Sequence, residues 1–345
     1  MHHLPRSTHS ASDVSLSIMA IANYKLSNLR NLVPALVLAL SGTNNCLASP
    51  FPQSGEVSLK TNVIKRHVPT EPTVEKLIDQ GRLHEARLKL REQIAKEGER
   101  PRLLLFEAMI LYREKQHRES IRVLERILPQ NDADPDVHKL IGLNLVAGGR
   151  DDLAGAYFEK AVELAPRDFM ARYYLCLYQL TDRQRVSAET TCRITTQLNP
   201  KYLDGYLALG VALEQSKMTQ EAIQTYLQAC ELAEQQGSKT EAPFLYLSRL
   251  LISLHQFEQS LPPLKKAVTI NPKSPEAHTA LGQALGRLGQ YEQALQSLLE
   301  AVRLAPNEKS PHYLLMGIYQ KLGKTDDARR EMQIFRALEE KEKQR

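Results

Sequence analysis

The chain has 345 residues, with 45 Lys or Arg against 40 Asp or Glu and a formal net charge of +5. This near balance argues against nucleic acid or an anionic membrane surface as the partner, because both attract strongly basic proteins. No run of about eighteen apolar residues indicates a membrane-spanning helix. The length suits one extended solenoid or two ordinary domains.

The N-terminal region contains a candidate export signal. An apolar run at residues 32–40 follows the basic residues Lys25 and Arg30 and precedes a small-x-small pattern that ends at Ala48. This order of a basic, an apolar and a small-residue segment is typical of a secretory signal peptide. We therefore expect a periplasmic or secreted protein, cleaved after Ala48. A short uncleaved anchor or a disordered apolar stretch is the alternative.

The boundaries of this region follow from the length of its basic segment. A start at Met19 would give a signal of ordinary length, so we interpret residues 1–18 as an N-terminal extension, residues 19–48 as the signal peptide and residues 49–66 as a flexible linker. Lipid attachment at Cys46, which would make the chain an outer-membrane lipoprotein, is the less favoured alternative to cleavage after Ala48. The three residues before it depart from the pattern that lipid attachment requires.

A column of small residues recurs through the rest of the chain. Its members are 34 residues apart, except for one step of 38: Ala86, Ser120, Ala154, Ala188, Ala222, Ser260, Ala294 and Ala328. A fixed period in this range is typical of a solenoid made of one repeated supersecondary unit. In each period, counted from His67, apolar residues at positions seven, eight and eleven predict a first helix. Those at positions twenty, twenty-four and twenty-seven predict a second.

The ends of these helices recur with the same period. A glycine column predicts a left-handed residue after the first helix, at Gly81, Gly149, Gly289 and Gly323. A proline column predicts the stop after the second helix, at Pro166, Pro200, Pro272 and Pro306.

One stretch in particular resembles the tetratricopeptide repeat family, through Ala280, Leu281, Gly282, Gly289, Tyr291, Ala294, Leu298, Ala301 and Pro306. The resemblance covers residues 67–342 and leaves residues 343–345 as a charged tail. It implies an all-α, right-handed superhelical solenoid of about eight helix-turn-helix repeats. It also implies that the first helix of each repeat lines a concave groove.

The residues that would face this groove are apolar in the first half of the solenoid. They are Leu105, Met109, Tyr112, Leu143, Val146, Tyr173, Leu177 and Leu180. We expect these eight residues to bind a peptide or an amphipathic helix of a partner protein, because an apolar stretch on an exposed face is typical of a docking surface. The alternative is that they pack against the neighbouring repeat.

Two further features concern single repeats. Cys176 and Cys192 occupy facing positions of one repeat, so they are either small core residues, which we favour, or a disulfide. The step of 38 residues places four extra residues near residues 234–240, and two prolines follow in the next second helix. We expect a break in the solenoid near residues 234–240, a longer helix before it, and a kinked or late-starting helix at residues 261–264.

Candidate chemistry is sparse. The chain has no motif for a Ser nucleophile, a zinc protease or a nucleotide phosphate. Its histidines do not converge, and His138, His278 and His312 share one repeat position at which packing is expected. We therefore expect no enzyme activity, cofactor, metal site or nucleic-acid partner.

The expected function is a protein-binding scaffold or adaptor in the bacterial cell envelope. The alternative is a regulatory or accessory subunit of an enzyme complex for envelope polysaccharide, pilus assembly or haem maturation.

Overall fold

A computed structural model describes residues 72–182 and 184–344. The predictions for the extension, signal peptide and linker, and for the first residues of the repeat region, lie outside these ranges. Within them the chain forms sixteen α-helices and no strand. A short 3₁₀ helix, Leu128–Gln130, follows the fourth.

The helices form two compact units, one up to Arg183 and one from Gln184. The first unit contains α1 (Val74–Asp79), α2 (Leu83–Glu97), α3 (Pro101–Arg113), α4 (His117–Ile127), α5 (Pro135–Ala147), α6 (Asp151–Leu164) and α7 (Phe169–Thr181). The second contains α8 (Arg185–Leu198), α9 (Leu203–Gln215), α10 (Thr219–Gln235), α11 (Ala242–Ser253), α12 (Phe257–Ile270), α13 (Pro275–Arg287), α14 (Tyr291–Leu304), α15 (Lys309–Lys321) and α16 (Thr325–Lys343).

The helices follow the predicted period. Each odd-numbered helix is the first helix of a repeat and each even-numbered helix is the second, which gives eight repeats. Within each unit, helices that are consecutive along the chain pack together. Several odd-numbered helices also pack on the next odd-numbered one, as α3 does on α5 and α13 on α15. The all-α solenoid of helix-turn-helix repeats is therefore confirmed.

Glycines at position eight of two repeats mark where the two helices of a repeat approach each other. A Cβ atom placed on Gly142 would lie 2.5 Å from the ring of Phe158, and one on Gly210 would lie 2.1 Å from the ring of Tyr226. In both repeats a large side chain of the second helix thus occupies the space that a side chain of the first helix would need. The absence of a side chain at Gly142 and Gly210 allows each pair of helices to pack closely.

The turn between the two helices has a left-handed residue in every repeat whose turn the structure describes. The four predicted glycines have φ angles between +71° and +76°. The same position is occupied by Lys115, Lys217 and His255 in three other repeats, with φ angles of 63°, 61° and 59°. A left-handed conformation costs a residue with a side chain about 1–2 kcal/mol, so packing of the helices imposes this turn even without glycine.

A second recurring contact lies at the start of the first helices. The side chains of His138, His278 and His312 each place Nε2 within 2.8–3.1 Å of the carbonyl oxygen six residues earlier. Arg172 occupies the same repeat position, and its Nε donates to the Pro166 carbonyl at 2.8 Å. These hydrogen bonds hold in place the loop that precedes the first helix of each of these repeats. The histidines thus have the packing role that their shared position predicts.

The irregular step of 38 residues lengthens one helix. The helix α10 has 17 residues, whereas α8, α12 and α14 have 14 each, so the prediction of a longer helix is confirmed. The prediction of a late start for the next second helix is wrong, because α12 begins at Phe257 and continues through Pro262 and Pro263. The carbonyls that lose a donor belong to the exposed residues Glu258 and Gln259, where water can replace it.

None of the helices in the described ranges combines the length and the apolar composition that crossing a membrane requires.

Two glycine variants test the packing of the helix pairs. Gly210→Ala should lower the free energy of unfolding by about 1–3 kcal/mol, because Tyr226 is fully buried and packs against the ring of Tyr246 at 5.7 Å. Gly317→Ala is the matched control, since a Cβ there meets nothing within 4 Å. It should stabilise α15 by up to about 1 kcal/mol. Urea unfolding followed by circular dichroism measures both, and a shift of the same sign in the two variants would contradict the packing argument.

Candidate functional site

The eight predicted groove residues lie on α3, α5 and α7, and most of them are buried. Seven have less than a tenth of their surface exposed, and only Val146 is half-buried. These seven side chains therefore contribute to the packing of the repeats. Binding of a partner at the eight residues stays a prediction.

Two of the eight, Leu105 and Met109, also line a pocket between α1, α3 and α5. The pocket has a volume of about 180 Å³. Leu105, Met109 and Leu140 are buried and form its apolar floor. Phe106 and four charged residues complete the lining: Glu75, Arg102, Asp134 and Asp136. We call these eight residues the α1–α3–α5 pocket.

The charged residues of the pocket are only partly paired with one another. Arg102 lies 3.7 Å from a carboxylate oxygen of Glu75 and 5.7 Å from the centre of the Phe106 ring. Asp134 precedes α5 and accepts a hydrogen bond from the backbone N–H of Asp136 at 2.9 Å, so it caps that helix. The rim therefore carries three carboxylates against one guanidinium.

Lys139 lies on α5 beside this rim and is buried. Its Nζ contacts Asp136 at 2.6 Å and Asp168 at 2.5 Å. Asp168 also caps α7 by accepting from the N–H of Met170 at 2.8 Å. Burial alone would lower the pKa of Lys139, but the charges and hydrogen bonds of the two aspartates outweigh it and raise the pKa. The two aspartates thus hold the Lys139 ammonium, and this ion pair ties α5 to the start of α7.

A buried polar network joins α3, α4 and α5, and sequence reasoning missed it. Asn144 donates to Ser120 Oγ at 2.9 Å and to the Leu140 carbonyl at 2.8 Å, and its side-chain oxygen lies 3.3 Å from Nδ1 of His117. Ser120 in turn donates to the Ala108 carbonyl at 2.8 Å. An Asn within the otherwise apolar run at residues 140–146 was the available signal, because a buried amide requires partners.

Burial also changes the acidity of two tyrosines of this unit. It raises the pKa of Tyr112 to about 12, and it raises the pKa of Tyr174 well above its ordinary range. The Tyr112 ring packs edge-on against His117 at 5.5 Å. Neither phenol ionises near neutral pH, so both present a neutral hydroxyl.

The cysteines of the described ranges are all buried. Cys176 and Cys192 are fully inaccessible, and each is disulfide-bonded, so the favoured interpretation of both as unbonded core residues is wrong. Cys230 is free, and burial raises the pKa of its thiol to about 12, so it is unreactive at neutral pH. Among the described residues, no cluster of His, Cys, Asp and Glu could hold a metal ion.

Alkaline unfolding tests the burial of Tyr112. Its pKa is about 12 in the folded chain and about 10 in an unfolded one, so its contribution to stability is complete below pH 10 and is lost as the pH rises towards 12. Between pH 8 and pH 11, which is one unit above the unfolded pKa, this loss amounts to about 1.4 kcal/mol, and Tyr112→Phe should remove it. Urea unfolding at pH 8 and pH 11 measures it. Tyr313→Phe is the control, since that ring is half exposed, and equal pH dependence in both variants would contradict the assignment.

Three family models, each described as a tetratricopeptide repeat, match the chain. They cover residues 77–143, residues 264–296, and residues 140–168 with 203–236. Among curated proteins, the chain is 30% identical over 87 residues to the cell division cycle protein 27 homolog of Caenorhabditis elegans. It is 22% identical over 170 residues to anaphase-promoting complex subunit 3 of Schizosaccharomyces pombe. The matches cover 25% and 49% of this chain but only 11% and 25% of those proteins.

Among solved structures, the APC/C hetero-tetramer Cut9–Hcn1 is similar with a TM-score of 0.60 and 16% identity, over 71% of this chain and 48% of that one. At this identity the likeness concerns the fold. The family matches agree with the eight helix pairs, the small residues that face large ones and the recurring left-handed turn. The chain is a tetratricopeptide repeat protein.

Proposed function

We propose that this protein is a non-enzymatic scaffold that binds a peptide or helix of a partner protein at the α1–α3–α5 pocket. The observation that carries the proposal is the pocket itself, with its buried apolar floor and charged rim on three successive first helices. Concave sites of this composition bind an apolar anchor and orient it with a few polar groups. The C. elegans and S. pombe relatives, one of them named as a subunit of a complex, are consistent with a role in protein assembly.

The absence of common catalytic motifs from the sequence supports a non-enzymatic role. Repeat proteins present an extended surface built from equivalent helices, which suits the binding of a chain segment. The accessory-subunit alternative uses the same surface, with an enzyme of the cell envelope as the bound partner.

A pair of arginine variants tests the surface. Phe106→Arg places a charge in the α1–α3–α5 pocket and should reduce capture of the partner at least tenfold, because the anchor would then contact a hydrated cation. Leu153→Arg is the matched control, since Leu153 is an exposed apolar residue of α6 in the same unit. Quantitative mass spectrometry after affinity capture measures both, and circular dichroism confirms that both fold. If Phe106→Arg and Leu153→Arg capture the same proteins in equal amounts, the pocket is not the binding surface.

We further propose export to the bacterial periplasm, on the strength of the basic, apolar and small-residue segments at residues 19–48. Expression of the untagged chain should give a periplasmic protein whose N-terminal residue is Ser49. An apolar-to-charged change within the run, Leu38→Arg, should retain the chain in the cytoplasm. Recovery of the unaltered chain in the cytoplasm with an intact N-terminus would contradict export, and recovery with a lipid on Cys46 would favour the lipoprotein alternative.

A further inference from the structure

We propose that the α1–α3–α5 pocket selects a partner segment in which a Lys or Arg lies next to an aliphatic residue. This inference rests on the proposed function and specifies the chemistry of the ligand at the same site. The aliphatic residue and the methylene groups of the basic side chain would contact the floor, and the cationic group would lie at the acidic rim.

The floor fits the apolar part of such a segment. Leu105, Met109 and Leu140 present only apolar atoms from two neighbouring helices, and a methionine adapts its shape to different aliphatic side chains. Lys and Arg commonly bury their methylene groups on apolar surface while the charged end stays at the edge. One Lys or Arg side chain can therefore contact the apolar floor with its methylene groups and the acidic rim with its charged group.

The charge of the rim favours a cation. Glu75, Asp134 and Asp136 bring three negative charges, and Arg102 brings one positive charge. Lys139 does not change this balance, because the nearby Asp168 offsets it. The N-termini of α1, α3 and α5 also lie here and add up to about half a positive charge each, which still leaves the site slightly negative. An acidic ligand would meet repulsion here, so the rim discriminates by sign.

The geometry of the rim leaves carboxylate capacity for a ligand. The Arg102–Glu75 separation of 3.7 Å exceeds a hydrogen bond. One oxygen of Asp134 accepts the backbone N–H that it caps, and a carboxylate has two oxygens with several acceptor positions. A partner's ammonium or guanidinium can therefore add hydrogen bonds to Glu75 and Asp134 without displacing the cap.

The test uses three fluorescent heptapeptides, Gly-Ser-Leu-X-Leu-Ser-Gly, in which X is Lys, norleucine or Glu. Norleucine has nearly the shape of the Lys stem without its charge. Fluorescence anisotropy with the purified full-length chain should show the Lys peptide binding about tenfold more tightly than the norleucine peptide, and the Glu peptide more weakly than both. Raising the salt concentration should reduce the advantage of Lys.

A charge variant locates this preference. Glu75→Gln with Asp134→Asn removes two charges, and Asn remains a good helix cap, so the fold is kept. The advantage of Lys over norleucine should fall to within twofold, because two of the three carboxylates that would attract the Lys ammonium are then neutral. The matched control, Glu125→Gln with Glu159→Gln, removes the same charge from exposed positions on α4 and α6 and should keep the tenfold preference.

The outcomes separate the two proposals. Equal binding of Lys and norleucine, or tighter binding of Glu, overturns the preference for a basic residue but leaves peptide binding at this pocket standing. No binding of any peptide overturns both.

The chain itself carries an aliphatic-basic sequence at residues 63–66. If Lys65→Gln with Arg66→Gln strengthens binding of the Lys peptide, this segment is the occupant, and the assignment to an external partner is overturned.

Discussion

The close approach of the two helices in each repeat is the constraint on which the rest of the structure depends. Gly142 meets Phe158, Gly210 meets Tyr226 and Gly282 meets Leu298, in each case with too little room for a Cβ atom. A large side chain of the second helix occupies the space where the first helix has only a glycine. The two helices of the pair therefore pack closely along an apolar interface. Within the first unit, the odd-numbered helices are thereby held side by side, and the pocket forms between three successive ones, α1, α3 and α5.

The same constraint explains how much of the fold the sequence could predict. The column of small residues predicted all eight helix pairs. A repeat period is a pattern of the whole chain, so it is still recognisable where single positions depart from it. The left-handed turns at Lys115, Lys217 and His255 were not predicted, because the residue type there gives no signal. A local rule failed at Pro262 and Pro263, which lie inside a continuous helix because the carbonyls they leave without a donor are at exposed positions, where water can replace it.

The candidate site was predicted less well, for a physical reason. The position of a residue within a repeat indicates which side of the helix it occupies, but its burial depends on how tightly the neighbouring helices pack. Tyr173 and Leu143 lie on the predicted helices and are nevertheless buried. The rim of the pocket depends on Asp134 and Glu75, which belong to different repeats and carry no shared sequence pattern. Only three-dimensional contact brings them together.

The lengthened helix α10 shows how such a chain can change in length. The helix ends at Gln235, and Gly237 follows in the left-handed conformation, so that the N–H of Ser238 donates to the carbonyl of Ala233 at 2.9 Å. The helices that follow keep their spacing, and α12 starts at the position equivalent to the start of α14. Each repeat therefore sets its own register from its turn and its facing small residue, so an insertion at one junction is absorbed there and is not transmitted to the repeats that follow.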